Sequence, residues 1–123
     1  MAQMVQQMNQ EMQRCIKACL DCHSVCLETV RYCLEKGGRH AEPSHIRLLL
    51  DCAEICQTSA DFMLRQSDLH SQTCSVCAEV CEACARDCDA FGDDAQMKAC
   101  AEACRRCAES CRRMAAMHQR AAA

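Results

Sequence analysis

Apolar and sulfur-bearing positions recur along this chain at steps of three and four, and the positions between them are mostly charged or amidic. Such steps keep side chains on one stripe of an α-helix, whereas a strand needs alternation, and no alternating run occurs. Breakers divide the pattern into four stretches. A first helix is predicted over about residues 4–35, stopping at Lys36-Gly37-Gly38, a basic last turn followed by glycine. Pro43, the only proline, suits the first turn of a second helix near 44–65. Ser67-Asp68 is a cap signal for a third helix over 68–90, which ends at Phe91-Gly92. Asp93 with Gln96 three residues later reads as a capping box opening a fourth over about 94–119. Short connections make neighbouring helices antiparallel. The expected fold is therefore all-α, an antiparallel up-down four-helix bundle, with residues 1–123 as a single domain.

What fills the stripe is unusual. Sixteen residues are cysteine, and they join in seven Cys-x3-Cys and four Cys-x2-Cys steps. The first helix carries Cys15, Cys19, Cys22, Cys26 and Cys33, and the second Cys52 and Cys56. The third carries Cys74, Cys77, Cys81, Cys84 and Cys88, and the fourth Cys100, Cys104, Cys107 and Cys111. Leu, Ile, Val and Phe together number only 18, fewer than a folded domain of this size usually has. Sulfur thus replaces part of the apolar core. Thr29 or Val30 continues the first stripe, and His45, Leu48 or Leu49, Ser59 and Met63 flank the second. The outer faces carry Glu82 with Arg86, Glu102 with Arg106 and Glu109 with Arg113, pairs spaced to bridge one helical turn.

Composition narrows the function classes. A formal charge of −3 with mixed signs suggests neither a nucleic-acid nor a membrane partner. The N-terminal stretch is polar and lacks the apolar segment of a secretory signal, so a cytoplasmic location with reduced thiols is expected. Cysteines so numerous in a reducing compartment point to metal rather than disulfides. Neighbours one turn apart are also poorly aimed for an S–S bond. Zinc and iron–sulfur sites usually draw discrete sets of four ligands from paired knuckles in loops. Here the thiols run along whole helices.

Charge separates the candidate ions. A Zn²⁺ with four unshared thiolates keeps a net negative charge that is costly to bury. One Cu(I) per thiolate leaves a neutral core, and soft sulfur ligands select Cu(I). Very roughly one ion per cysteine is then expected. The alternative is a zinc or general heavy-metal thiolate buffer. An enzyme is not expected: no paired carboxylates lie on the stripe, and no single cysteine is set apart as a nucleophile.

The stretches His45-Ile46-Arg47-Leu48, Leu50-Asp51-Cys52-Ala53-Glu54-Ile55-Cys56, Cys77-Ala78-Glu79-Val80-Cys81 and Cys100-Ala101-Glu102-Ala103-Cys104-Arg105-Arg106-Cys107 resemble the copper storage protein family, its bacterial cytosolic members most. The resemblance runs from about Cys15 to Met114. It implies a four-helix bundle assembled as a homotetramer, with multiple Cu(I) ions per chain on thiolates inside each bundle. It assigns as Cu(I) ligands all the cysteines but Cys74, which fits one step earlier on the same stripe. The implied role is storage that sequesters or supplies copper, with a copper chaperone or a low-molecular-weight thiol as donor. Some relatives have Cys where this chain has Thr29, His45 and Met97. His45 and Met97 are the expected secondary or port ligands at the end bearing the first and third loops, where Cys33, His40 and Phe91 also lie. At the other end the stripe gathers Met8, Met12, Met63, His70, Met114, Met117 and His118. Of these, Met12, Met63, Met114 and His118 are candidate weaker ligands, although Met also serves as flexible packing. His23 flanks the stripe as a partly buried surface residue, and Tyr32 and Phe62 read as packing or an inter-subunit contact.

Overall fold

The computed structural model describes the backbone of residues 2–122 and the side chains of residues 9–117. Four α-helices span it: α1 (Ala2–Lys36), α2 (Pro43–Leu64), α3 (His70–Asp89) and α4 (Ala95–Ala122). A 3-10 turn at Gly38–Ala41, which the periodicity does not foretell, lies between α1 and α2. The helices pack in ring order, the backbone of each close to its two neighbours, and among the described residues the diagonal pairs α1 with α3 and α2 with α4 have no close backbone approach. The up-down bundle therefore surrounds a central column, and the cysteine stripes face into it.

Local chemistry sets the ends. The backbone N–H of Gly37 returns to the Cys33 carbonyl at 3.0 Å, and Gly37 and Gly38 take φ of +74° and +58°, a left-handed exit from α1 that favours glycine. Pro43 occupies the first turn of α2, where its missing N–H costs nothing. α2 closes through Gln66, a non-glycine residue at φ +53°, with the Ser67 N–H reaching the Phe62 carbonyl at 2.9 Å.

Two cap assignments from the sequence need correcting. Ser67 does not open α3. Its Oγ accepts the Leu69 N–H at 3.1 Å and its carbonyl the His70 N–H at 3.2 Å, so it closes a turn and α3 starts at His70. At α4 the cap is Asp94, not Asp93: its Oδ1 accepts the Met97 N–H at 3.1 Å. Gln96, expected to close a capping box, instead donates from Nε2 to Thr29 Oγ1 at 2.9 Å.

Small residues flank the thiols. Ala78 and Ala85 on α3 and Ala101 and Ala108 on α4 are buried at seven-residue spacing, which lets these helices approach closely. Long side chains on α4 then reach across the groove. Arg112 pairs with Glu82, Arg105 with Asp89 at 2.8 Å and Arg113 with Glu11 at 3.5 Å. These cross-helix pairs stand where the sequence suggested bridges within one helix, Glu82 to Arg86 and Glu109 to Arg113. Among the described residues no helix is long and apolar enough to cross a membrane.

Candidate metal centre

All sixteen cysteines are buried, none more than 1% exposed, and all are free thiols. They meet along the axis and across its diagonals. Cys52 on α2 lies 3.8 Å from Cys104 on α4, and Cys56 lies 3.7 Å from Cys107. Cys22 touches Cys52 at 3.8 Å and Cys104 at 3.7 Å, and Cys107 touches Cys19 at 3.6 Å.

The sulfurs form overlapping groups of four whose members all lie within 4.8 Å of one another. Five of these line up: Cys26, Cys84, Cys100 and Cys104; then Cys22, Cys26, Cys52 and Cys104; then Cys22, Cys52, Cys56 and Cys81. Cys56, Cys77, Cys81 and Cys107 follow, and Cys19, Cys77, Cys107 and Cys111 complete the series. Each group shares two sulfurs with the next. The shared edges are Cys26–Cys104 at 3.9 Å, Cys22–Cys52 at 3.8 Å, Cys56–Cys81 at 3.6 Å and Cys77–Cys107 at 3.8 Å. The site is a column with no boundary between one set of four and the next.

Its ends differ. At one, Cys15 lies 3.6 Å from Cys111, and Cys74 lies 3.8 Å from Met63 Sδ and 3.5 Å from Ser59 Oγ. Met114 is buried there and Met12 packs half-buried against the core. The side chains of Met8 and His118 lie outside the described residues. His70 is buried, and its Nδ1 meets the Ser67 carbonyl at 2.8 Å. At the other end Cys33 Sγ lies 3.4 Å from His45 Nε2 and 3.6 Å from Met97 Sδ. His23, off the stripe, turns Nδ1 to the Ala53 carbonyl at 2.8 Å.

That second end has a roof. Phe91 lies against His45 and His40, with ring centroids 4.8 and 4.4 Å apart, and Arg39 stacks over it at 4.8 Å. Tyr32 donates its hydroxyl to Asp94 Oδ2 at 2.8 Å, and His40 Nε2 reaches the same oxygen at 3.0 Å. Burial alone would raise the Asp94 carboxyl. The hydrogen bonds from Tyr32, the Met97 N–H and His40 outweigh it and hold the group below its ordinary value.

Ionisation is unevenly shared among the thiols. Burial, reinforced by the charges of Cys100, Asp94 and Asp87, pushes Cys33 up to about 11. At Cys74 a hydrogen bond from Cys111 pulls downward, but Cys15 and burial prevail and the thiol rises to about 11. Hydrogen bonds from Cys107, Cys111 and Cys15 bring Cys19 down to about 6 against the effects of Cys77 and burial. Within the column Cys26 and Cys104 are pushed up, foremost by Cys100, and Cys111 by Cys107. A thiolate at one position keeps its neighbours protonated until a cation arrives.

The sequence placed the sixteen thiols, His45 and Met97, but it missed the partner that orients His45. Asp87 Oδ2 lies 2.5 Å from His45 Nδ1. Asp87 stands one residue before Cys88 on α3, and nothing in its local pattern ties it to a histidine on α2.

A helical bundle whose core is a continuous column of thiols is, by its donor set, a protein built for soft metal ions. The copper storage protein family matches residues 8–116, and the chain belongs to that family. Several solved structures are similar. A protein from Nitrosospira multiformis is 49% identical, with 88% of this chain and 97% of that one covered at a TM-score of 0.82. The Cu(I)-bound copper storage protein 3 of Bacillus subtilis is 39% identical, covering 85% and 98% at a TM-score of 0.79. A cytosolic copper storage protein from Streptomyces lividans, solved with five coppers, is 31% identical, covering 89% and 95% at 0.77.

Proposed function

We propose that this chain, folded as a single domain, stores many Cu(I) ions in the cytoplasm on its sixteen cysteine thiolates, limiting copper toxicity and holding copper for later supply. The observation that carries this reading is the shared edges of the sulfur groups. Two regular tetrahedra sharing an edge of 3.8 Å have centres roughly 2.7 Å apart, so adjacent ions would be close neighbours. Repulsion grows with the product of the charges, so two divalent ions in that arrangement repel about four times as strongly as two monovalent ones. A column of shared sulfurs therefore favours Cu(I) over Zn²⁺. Such a column has many similar sites and no position set apart for a substrate, which suits storage rather than catalysis.

The remaining assignments follow from position. Cytoplasmic placement is supported by the free state of all sixteen thiols and by the cytosolic description of the Streptomyces relative. Assembly as a homotetramer is supported by the exposed Leu27, Leu34 and Leu50 on the outer faces of α1 and α2. A copper chaperone or a low-molecular-weight thiol would deliver the ions. His45 and Met97 are the port ligands. Met12, Met63, Met114 and His118 are weaker ligands beyond the far end.

Anaerobic Cu(I) titration against a Cu(I)-specific chelator, with metal analysis and competing Zn²⁺, tests the reading. Very roughly one ion per cysteine, undisturbed by zinc, is expected. Saturation at one or two ions would refute it, and displacement by zinc would turn the protein into a general heavy-metal buffer. Replacing both His45 and Met97 by Leu should slow uptake, and an unchanged rate removes them as port ligands.

A further inference from the structure

The end of the bundle beneath Phe91 holds a donor set unlike the column. Cys33 from α1, His45 from α2 and Met97 from α4 contribute one thiol, one imidazole and one thioether, with His45 Nε2 and Met97 Sδ at 3.4 and 3.6 Å from Cys33 Sγ. The set is separated from the column along α1 because Thr29 takes the stripe position between Cys26 and Cys33. Thr29 is fully buried, and its hydroxyl donates to the Val25 carbonyl at 2.7 Å and accepts from Gln96. Thr29 offers no sulfur to bridge the two.

The remaining helix, α3, supplies no ligand here but a carboxylate. Asp87 on α3 lies 2.5 Å from His45 Nδ1, on the side of the ring away from Cys33. His45 is 4% exposed, so its ring is held in place, whereas the Asp87 side chain is 38% exposed at the rim. A carboxylate that accepts from one ring nitrogen selects the tautomer with hydrogen there and leaves the other nitrogen as a lone-pair donor.

We infer that Asp87 is a positioning residue that fixes His45 as its Nδ1–H tautomer and so completes a discrete site for one soft monovalent ion on His45 Nε2, Cys33 Sγ and Met97 Sδ. The identity of the ion rests on the copper storage reading; the tautomer does not. On binding, the Cys33 thiol loses its proton to solvent and His45 loses none, so one thiolate balances one positive charge. With a single thiolate, this site holds its ion less tightly than the column does and exchanges it first.

The test reads the tautomer and the ion separately. Long-range ¹H–¹⁵N correlation spectra of the copper-free protein should show His45 with hydrogen on Nδ1 and a bare Nε2. Cu(I) loading should then shift the Nε2 resonance. Asp87→Ala should move His45 toward the Nε2–H form and weaken retention of the most readily withdrawn Cu(I) by roughly 10–100-fold in chelator competition. The other ions should be unaffected. Asp87→Asn keeps an oxygen that accepts from Nδ1 and should restore much of the wild-type behaviour. A hydrogen on Nε2 in the copper-free wild type overturns the inference, as does Asp87→Ala with unchanged ¹⁵N shifts and unchanged withdrawal. Should the alanine variant not fold, the wild-type tautomer and the asparagine variant decide. If His45 shows the stated tautomer but no multiple loading with Cu(I) occurs, the storage reading fails and the positioning role stands.

Discussion

Cys33 and Cys74 lie toward opposite ends of the bundle core, and both are held at about 11 where an ordinary thiol has 9.0. Above about pH 9 the unfolded chain sheds protons that the native chain keeps, so the copper-free bundle must lose stability as pH rises. Below that pH the contribution is fully present. At about pH 10, one unit into the window, each group has lost about 1.4 kcal/mol, and the two together about 3 kcal/mol. Both side chains are wholly buried, but they lie near the ends of the bundle, where nearby water screens part of the shift, so the figure is an upper bound. Cys19 acts in the opposite sense only between its folded value of about 6 and 9.0 and is constant above that, whereas Cys26, Cys104 and Cys111, also pushed up, add to the loss in the same direction. A loss of about 3 kcal/mol is large beside the roughly 5–15 kcal/mol that holds a typical domain together. The measurement is guanidinium unfolding of the copper-free protein, kept anaerobic and reduced, followed by circular dichroism from about pH 8 to 10.5. The midpoint should fall steadily across the upper half of that range, and Cys33→Ser should remove about half of the drop ascribed to the two thiols. A midpoint that does not move with pH would refute the assignment of neutral, burial-raised thiols toward the ends of the bundle core.

Other outcomes follow from the same geometry. Loading requires the thiols to give up protons, so Cu(I) affinity should fall from about pH 8 to 5 in chelator competition, and a flat profile would contradict thiolate ligation. Thr29→Cys places a seventeenth thiol in the break between the column and Cys33 and should raise the titrated capacity by about one ion. Unchanged capacity would mean that the break is not what limits loading there. Gln66→Gly relieves a left-handed residue at the end of α2 and should raise the denaturation midpoint, by about 1 kcal/mol of stability.

The bundle and its sulfur lining were legible because one signal, cysteine at helical spacing, fixes both the helix type and the face that turns inward. Gly37, Pro43 and Gly92 marked the breaks, since each does something the helix interior does not tolerate. Less legible was everything that depends on which helices end up side by side. Asp93 and Asp94 are equal as cap residues in the sequence. Asp94 takes the role because Tyr32 and His40, from elsewhere in the chain, converge on its other oxygen. The Ser67-Asp68 signal was real chemistry applied to a turn rather than a helix start. Arg113 looked like a surface residue paired with Glu109 on its own helix, and the packing of α4 against its neighbours gave it Glu11 on α1 and gave Arg112 Glu82 on α3. The contact of Asp87 with His45 joins residues 42 apart and leaves no local trace.

The two connections at the Phe91 end are laced to each other. Arg39 in the first reaches the Ala90 carbonyl in the second at 3.0 Å, and His40 and Tyr32 hold Asp94. The α1–α2 and α3–α4 hairpins are thus clasped at this end, whereas at the other the α2–α3 connection and the Arg113–Glu11 pair join them. In mechanical terms the molecule is a pair of tongs with its pivot under Phe91. Parting the two hairpins at the His45 end means breaking the Arg39 and His40 bonds, and parting them at the Cys15–Cys111 end means breaking the Arg113–Glu11 pair.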